Sequence, residues 1–240
     1  MGRGGSASVR LLEAVPGSGT QQYLRLALCS PQRSEAMPGQ YCLLSSHNEC
    51  WPCSYVSLPG ASGRFLVATC SVKPVGQAGD LFGYSGPLGN AWPLPLQSAR
   101  LLAISRAEGL LPLLAVLDEI RCWLPWVQVS LSHAGIPAER LPDACPTWLA
   151  ALAHDSSSGW LQLQRTLDTF RPDTVYCCAP PQVARQAARL CWQTGIAAQR
   201  IWLRTDHLPR PAWGGPQPLG WPVQRYDRVL AALKWVPPGG

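Results

Sequence analysis

The chain has 240 residues, of which 47% are hydrophobic and 14% charged, a balance that excludes a disordered chain and provides for a packed interior. Its formal net charge of +6 comes from 18 arginines and 2 lysines scattered singly, which leaves no basic run of the kind that binds nucleic acid. No apolar run reaches the roughly 18 to 20 residues of a membrane span.

Residues 1–96 read as a β-rich domain. Ser8–Val15, Gln22–Cys29, Gln40–Ser46, Cys53–Leu58 and Arg64–Val72 are short apolar or alternating runs, punctuated by Pro16-Gly17, Pro38-Gly39, Pro59-Gly60 and Gly76 to Gly79. Such strands at near-regular spacing, with turn residues between them, predict a small antiparallel barrel or sandwich. Ala91–Ala99, with two prolines, is a linker.

Residues 97–208 change rhythm to strand then helix. Ala99–Ser105 is a buried strand, Leu110–Leu124 a helix with Pro112 in its first turn, and Trp126–Ala134 the next strand. Cys145–Asp155 reads as a helix, Asp173–Ala179 as a strand, Pro181–Gly195 as a helix stopped by glycine, and Gln199–Arg204 as a last strand. This alternation predicts an open parallel α/β sheet, which takes ligands at the carboxyl ends of its strands. Residues 209–240 form a Pro/Trp-rich tail with a short helix over Tyr226–Val236.

Ten cysteines are spread along the sequence. With the Gly-rich, polar first twenty residues unsuited to a secretory signal, they are expected as reduced, mostly buried thiols in a cytoplasmic protein.

Four stretches bear a further reading: Pro38-Gly39-Gln40-Tyr41, Trp51-Pro52-Cys53-Ser54, Gly79-Asp80 through Gly86-Pro87-Leu88-Gly89-Asn90, and Tyr176-Cys177-Cys178-Ala179-Pro180. In this order they resemble the motifs of the ferredoxin-NADP reductase superfamily, above all its flavin reductases and the electron-transfer subunit of dihydroorotate dehydrogenase. The resemblance implies a flavin-binding barrel followed by an NAD(P)-binding domain. It also implies a flavin, FAD or FMN, lying against Trp51, Pro52, Cys53, Ser54 and Tyr55 and beside Gly86 and Pro87. NAD(P)H would stand at Gly109, Leu110, Ala179 and Pro180, with Ser54 and Cys178 at the reacting rings. The residues from Gly86 to Asn90 are expected to form the loop at the domain junction, where glycine and proline let the backbone approach a ligand.

The departures from the family pattern matter equally. Trp51 stands where the family's R-P-[YF]-S motif has an arginine for the flavin pyrophosphate, a charge-assisted contact an indole does not supply. Cys53 replaces the ring of that motif, with Tyr55 a ring in a shifted register. Only Lys73–Ala78 separate the fifth strand from Gly79, too few for the family's phosphate-binding helix. Of the family's glycine-rich dinucleotide loop, Gly109 and Pro112 survive, and Glu108 brings an unfavourable charge beside a pyrophosphate. Nothing after Cys191 is a cysteine, so no iron-sulfur cluster is expected in the tail and no metal is assigned.

Other constellations are less specific. Cys50-Trp51-Pro52-Cys53 has the spacing of a redox dithiol, of half a zinc site with His47 or Cys42, or of plain structural thiols. His133, His154 and His207 lack a serine or cysteine partner in any nucleophile motif. Core packing accounts for most of the tryptophans, while Trp213 and Trp221 in Pro/Gly-rich sequence suit a protein interface. The resemblance thus implies a flavin-dependent oxidoreductase or electron-transfer subunit with eroded cofactor motifs. The alternative is a non-catalytic relative that serves as a partner-binding subunit or docking module.

Overall fold

The computed structural model describes residues 7–17, 20–30, 36–47, 49–134, 153–155, 159–205 and 223–234. Six strands come first: β1 (Ala7–Pro16), β2 (Gln21–Leu28), β3 (Tyr41–Ser46), β4 (Glu49–Tyr55), β5 (Arg64–Cys70) and β6 (Leu81–Leu88). They close into an antiparallel barrel in the order β1-β2-β5-β4-β3-β6, as the spacing of short alternating runs predicts. Closure follows from β1, which pairs β2 along one side and β6 along the other. Inward residues of every strand fill the interior, among them Val9, Leu11, Leu24, Leu26, Leu44, Phe65, Val67 and Phe82. Their alternation with outward residues is the period of two that a half-buried strand imposes.

The second sheet contains β7 (Arg100–Arg106), β8 (Gln128–Ala134), β9 (Ala153–Asp155), β10 (Thr174–Cys178), β11 (Ile201–Arg204) and β12 (Val223–Arg225). Its order is β12-β11-β10-β7-β8-β9, parallel throughout except for β12, which pairs β11 antiparallel. Helix α1 (Leu111–Trp123) packs on one face. On the other lie α2 (Gly159–Phe170), α3 (Pro181–Gln193) and α4 (Tyr226–Lys234). Side chains sort by parity. Leu101, Ala103, Tyr176 and Cys178 face α1 and the barrel, and Leu102, Ile104, Val175 and Cys177 face the other three helices. Because α1 is buried between the sheet and the barrel, its eight buried residues cover most of its circumference rather than one stripe.

Tyr23, Val56, Leu66, Ala68 and Trp92 belong to the same buried cluster as α1 and β7, so the two domains share one continuous apolar interface.

Four sequence expectations change. Ala153–Asp155, expected at the end of a helix, is the edge strand β9 paired with Leu131–His133, whose open ladder satisfies its backbone. The rest of that expected helix, 145–152, lies outside the described residues. Helix α2 is an addition to the expected elements, with Leu163 and Leu167, one turn apart, as its buried residues. The strand expected at Cys53–Leu58 runs instead from Glu49 to Tyr55. Within the expected tail Val223–Arg225 adds an unexpected strand to the sheet, and the expected short helix packs beside it as α4. Trp213, Trp221 and His207 lie outside the described residues. Among those residues no helix is long and apolar enough to cross a membrane.

Candidate functional site

Strand β4 presents its residues alternately to the barrel interior and to the second domain. Trp51, Cys53 and Tyr55 take the inner parity. Trp51 sets its indole edge-on to Phe82 at 5.8 Å, Cys53 stands across from Cys42, and the Tyr55 hydroxyl is hydrogen-bonded to that of Tyr84. Burial drives the Cys42 thiol well upward, with Cys53 beside it adding to the shift. Burial and the neighbouring Cys42 and Tyr84 likewise raise the Tyr55 phenol far above its ordinary value. The Tyr55 ring, wholly buried in the barrel core, is therefore not the outward ring that a shifted register would supply.

Pro52 and Ser54 take the outer parity. The Pro52 carbonyl accepts a hydrogen bond from Thr69 Oγ1 at 2.9 Å. Ser54 is 1% exposed, and its Oγ accepts from Arg204 Nη2 at 2.5 Å. The same guanidinium donates through Nη1 to the carbonyl of Gly39 at 2.8 Å. Arg204 ends β11, stands in register with Cys178, and is itself 0% exposed. Its carbonyl accepts from the Ala179 amide at 3.2 Å. One residue thereby links Ser54, Gly39, Cys178 and Ala179 across the domain boundary. Burial raises the Tyr41 phenol, an effect the nearby Arg204 charge partly offsets.

Beside this contact Trp92 lies 1% exposed, stacked on Tyr176 with ring centroids 5.1 Å apart and planes at 22°. Its Nε1 donates to the Pro112 carbonyl at 2.9 Å, and the Tyr176 hydroxyl donates to the carbonyl of Pro93. Gly39, at φ +89°, comes so close that a Cβ there would meet Trp92 Cδ1 at 2.5 Å, so both its conformation and its lack of a side chain are required.

The segment from Gly86 to Asn90 is not wholly a loop. Strand β6 continues to Leu88, which pairs with Tyr41, and the backbone leaves the barrel at Gly89. Gly86 faces inward, where a Cβ would stand 2.7 Å from Cys42 Cβ and 2.9 Å from Tyr55 Oη, while the neighbouring Pro87 is half-buried.

Ala107–Leu110 forms one 3-10 turn at the carboxyl end of β7, leading into α1. Leu110 and Leu111 are buried, and a Cβ on Gly109 would overlap the Cys178 carbonyl oxygen. The glycine is thus demanded by contact with β10. Cys178 and Ala179 are buried, whereas Pro180 is exposed at the head of α3. His133 does have a serine beside it: its Nδ1 and Ser105 Oγ are hydrogen-bonded at 2.8 Å. Both are buried, and they are cross-strand partners on β7 and β8, a pairing invisible in linear order.

Cys50 is exposed and Cys53 buried, because a spacing of three puts them on opposite faces of β4. Among the described residues no group of three His, Cys, Asp or Glu side chains could hold a metal ion.

A flavin seated along β4 does not fit these residues. Its ring edge would have to displace Arg204 from Ser54 and Gly39, the Trp51 indole itself offers a pyrophosphate no charge, and residues 71–80 run through bends and turns without a helix. A dinucleotide fits the turn after β7 no better, since Gly109, Leu110 and Leu111 are packed inward. Arg204 and Trp92, which close the crevice, are absent from the residues that sequence reasoning selects. The available signal is a charge at the carboxyl end of a buried strand in QRIWLR and a tryptophan directly after the Gly-Pro-Leu-Gly-Asn segment.

No protein-family model matches the sequence, and no curated protein matches it. Solved structures do match in three dimensions. An NADH-dependent reduced ferredoxin-NADP oxidoreductase is similar at TM-score 0.68 with 16% identity, over 98% of this chain and 95% of that one. Phthalate dioxygenase reductase is similar at TM-score 0.66 with 12% identity, over 98% and 82%. A cytochrome P450 reductase from Amycolatopsis is similar at 0.65 with 17% identity, over 85% and 70%. At such identities the likeness is one of architecture: a closed six-stranded barrel joined to a mostly parallel sheet. The protein has the two-domain fold of the ferredoxin-NADP reductase superfamily.

Proposed function

We propose that this protein serves an electron-transfer system of the reductase type as a non-catalytic, partner-binding subunit whose interdomain crevice is filled by its own side chains. The observation that carries this reading is the buried Arg204 guanidinium spanning Ser54 Oγ and the Gly39 carbonyl. A ring placed at Ser54 would strip two charge-assisted hydrogen bonds from a side chain that has no route to water, a cost of roughly 1.5–3 kcal/mol for each bond.

Partner binding draws support from Trp123 and Trp126, 69% and 60% exposed around the turn that joins α1 to β8. Core packing does not account for these two indoles, and exposed aromatics of this kind are favoured at interfaces. The fold likeness adds context, because phthalate dioxygenase reductase is described as a modular structure for electron transfer from pyridine nucleotides to [2Fe-2S]. Five buried cysteines without a disulfide among the described residues suit a reducing, cytoplasmic setting.

The second reading is a working oxidoreductase moving electrons between NAD(P)H and a flavin, with residues 1–96 as the flavin domain, 97–208 as the NAD(P) domain and 209–240 as a tail. It is favoured by Ser54 and Cys178 meeting the same residue, Arg204, in one crevice. The purified protein, dialysed separately against FAD and FMN, separates the two readings. Colourless protein that does not oxidise NADH or NADPH is expected. Stoichiometric flavin absorbance with NAD(P)H oxidation would replace the first reading by the second.

A further inference from the structure

Where β11, β12, α3 and α4 meet beside the interdomain linker, the described residues line a cleft of about 800 Å³. That volume lies within the range of small-molecule sites. Arginines reach the cleft from three elements: Arg185 on α3, Arg225 on β12 and Arg228 on α4. Asp227 engages Arg225 through both carboxylate oxygens, at 2.7 and 2.8 Å, and this pairing holds its carboxyl below the usual range. Neither Arg185 nor Arg228 forms a salt bridge among the described residues, although the Arg228 charge also helps to hold the Asp227 carboxyl low.

Two guanidiniums are therefore left to face the cleft, each a planar fork of donors matched to phosphate oxygens. The rest of the wall joins the polar Asn90 and Gln224 to an apolar stretch in which the half-buried indole of Trp202 lies with Val223, Val229 and Ala232. Asn90 Nδ2 donates to the Val223 carbonyl at 3.3 Å, which ties the linker to the rim. A flat aromatic surface next to two cations is suited to a ligand with a ring at one end and dense negative charge at the other.

We infer that this cleft binds a nucleoside diphosphate, with Arg185 and Arg228 on the phosphates and Trp202 against the base. The site stands at the β12 edge of the sheet, with β11 and β10 between it and β7, which the Gly109 turn follows. It is independent of whether the crevice at Ser54 admits a flavin.

The test is titration calorimetry of the full-length protein at low salt with ADP, pyrophosphate and adenosine as separate probes. ADP binding at one site is expected, with pyrophosphate weaker and adenosine weaker still. The double substitution Arg185→Glu/Arg228→Glu, at two exposed positions, is expected to lower ADP affinity by about tenfold or more. Arg10→Glu/Arg64→Glu, an equal change of charge at two exposed positions of the barrel, is expected to leave it unchanged. Trp202→Leu is expected to weaken ADP more than pyrophosphate, with a circular-dichroism melt confirming that this variant folds. Absence of ADP binding, ADP affinity indifferent to the Arg185/Arg228 change, or pyrophosphate binding as tightly as ADP would each overturn the inference.

Discussion

The interdomain crevice and the cleft at the β12 edge differ in how their polar groups are used. In the crevice three polar groups of the sequence motifs are engaged by the protein itself: Ser54 by Arg204, the Gly39 carbonyl by Arg204, the Pro112 carbonyl by Trp92. At the sheet edge no motif is recognisable, yet Arg185 and Arg228 face a large concavity without a salt bridge among the described residues. The motif residues of the crevice therefore serve how the backbone folds, whereas the two arginines of the cleft are free of such a role. Pro38-Gly39-Gln40-Tyr41 illustrates the first case. Gly39 is indispensable here because Trp92 sits on it, and Gln40 Nε2 donates to the Gly89 carbonyl at 2.9 Å.

Substitutions in the two regions should separate into structural and functional effects. The largest loss is expected for Trp92→Ala, which removes the stack on Tyr176 and the bond to Pro112 and leaves a cavity at the domain interface. A fall of about 3–5 kcal/mol in unfolding free energy should be read from urea denaturation. Arg204→Ala should cost about 2–4 kcal/mol on the same measurement, because it takes a charge-assisted hydrogen bond from each of Ser54 Oγ and the Gly39 carbonyl in a buried setting. Gly109→Ala drives a methyl group into the Cys178 carbonyl and should cost about 1–3 kcal/mol through overpacking. By contrast Arg185→Glu should stay within about 0.5 kcal/mol of the parent, as a surface change with no partner to lose. Equal destabilisation at Arg185 and Arg204 would erase the distinction between the regions.

The smallest expected effect is a response to acid. The Asp227 carboxyl is held low first by its hydrogen bonds to Arg225. Its folded pKa therefore lies below the unfolded value near 3.9, so the stabilisation is complete above that value and is lost as pH falls through the folded one. A melting-temperature series from pH 6 down to about pH 3 should show Asp227→Asn with a slightly flatter acid limb than the parent. An identical limb in both proteins would mean that the pair at the cleft rim carries no net stabilisation.

The sequence makes the architecture legible because its signals are periodic and local. Alternating runs such as Gln22–Cys29 become β2, and the strand-helix rhythm after residue 99 becomes a parallel sheet. It misplaces Ala153–Asp155, since a three-residue strand exists only by virtue of the β8 edge next to it. The crevice contact is less legible. Ser54 and Cys178 do approach one crevice, but their engagement depends on Arg204, 150 residues from Ser54 in linear order. Trp51, Cys53 and Tyr55 illustrate the remaining difficulty. Their inner parity is fixed by barrel closure, which linear order does not display.

The crevice is closed by a contact made across the domain boundary, and a double-mutant cycle between Arg204→Ala and Ser54→Ala measures it directly. With unfolding free energies from urea titrations, the two substitutions should be non-additive by about 1–3 kcal/mol, as expected for a buried, charge-assisted hydrogen bond. Additive effects within about 0.3 kcal/mol would mean that Arg204 does not hold Ser54 in the folded protein and that the crevice is open.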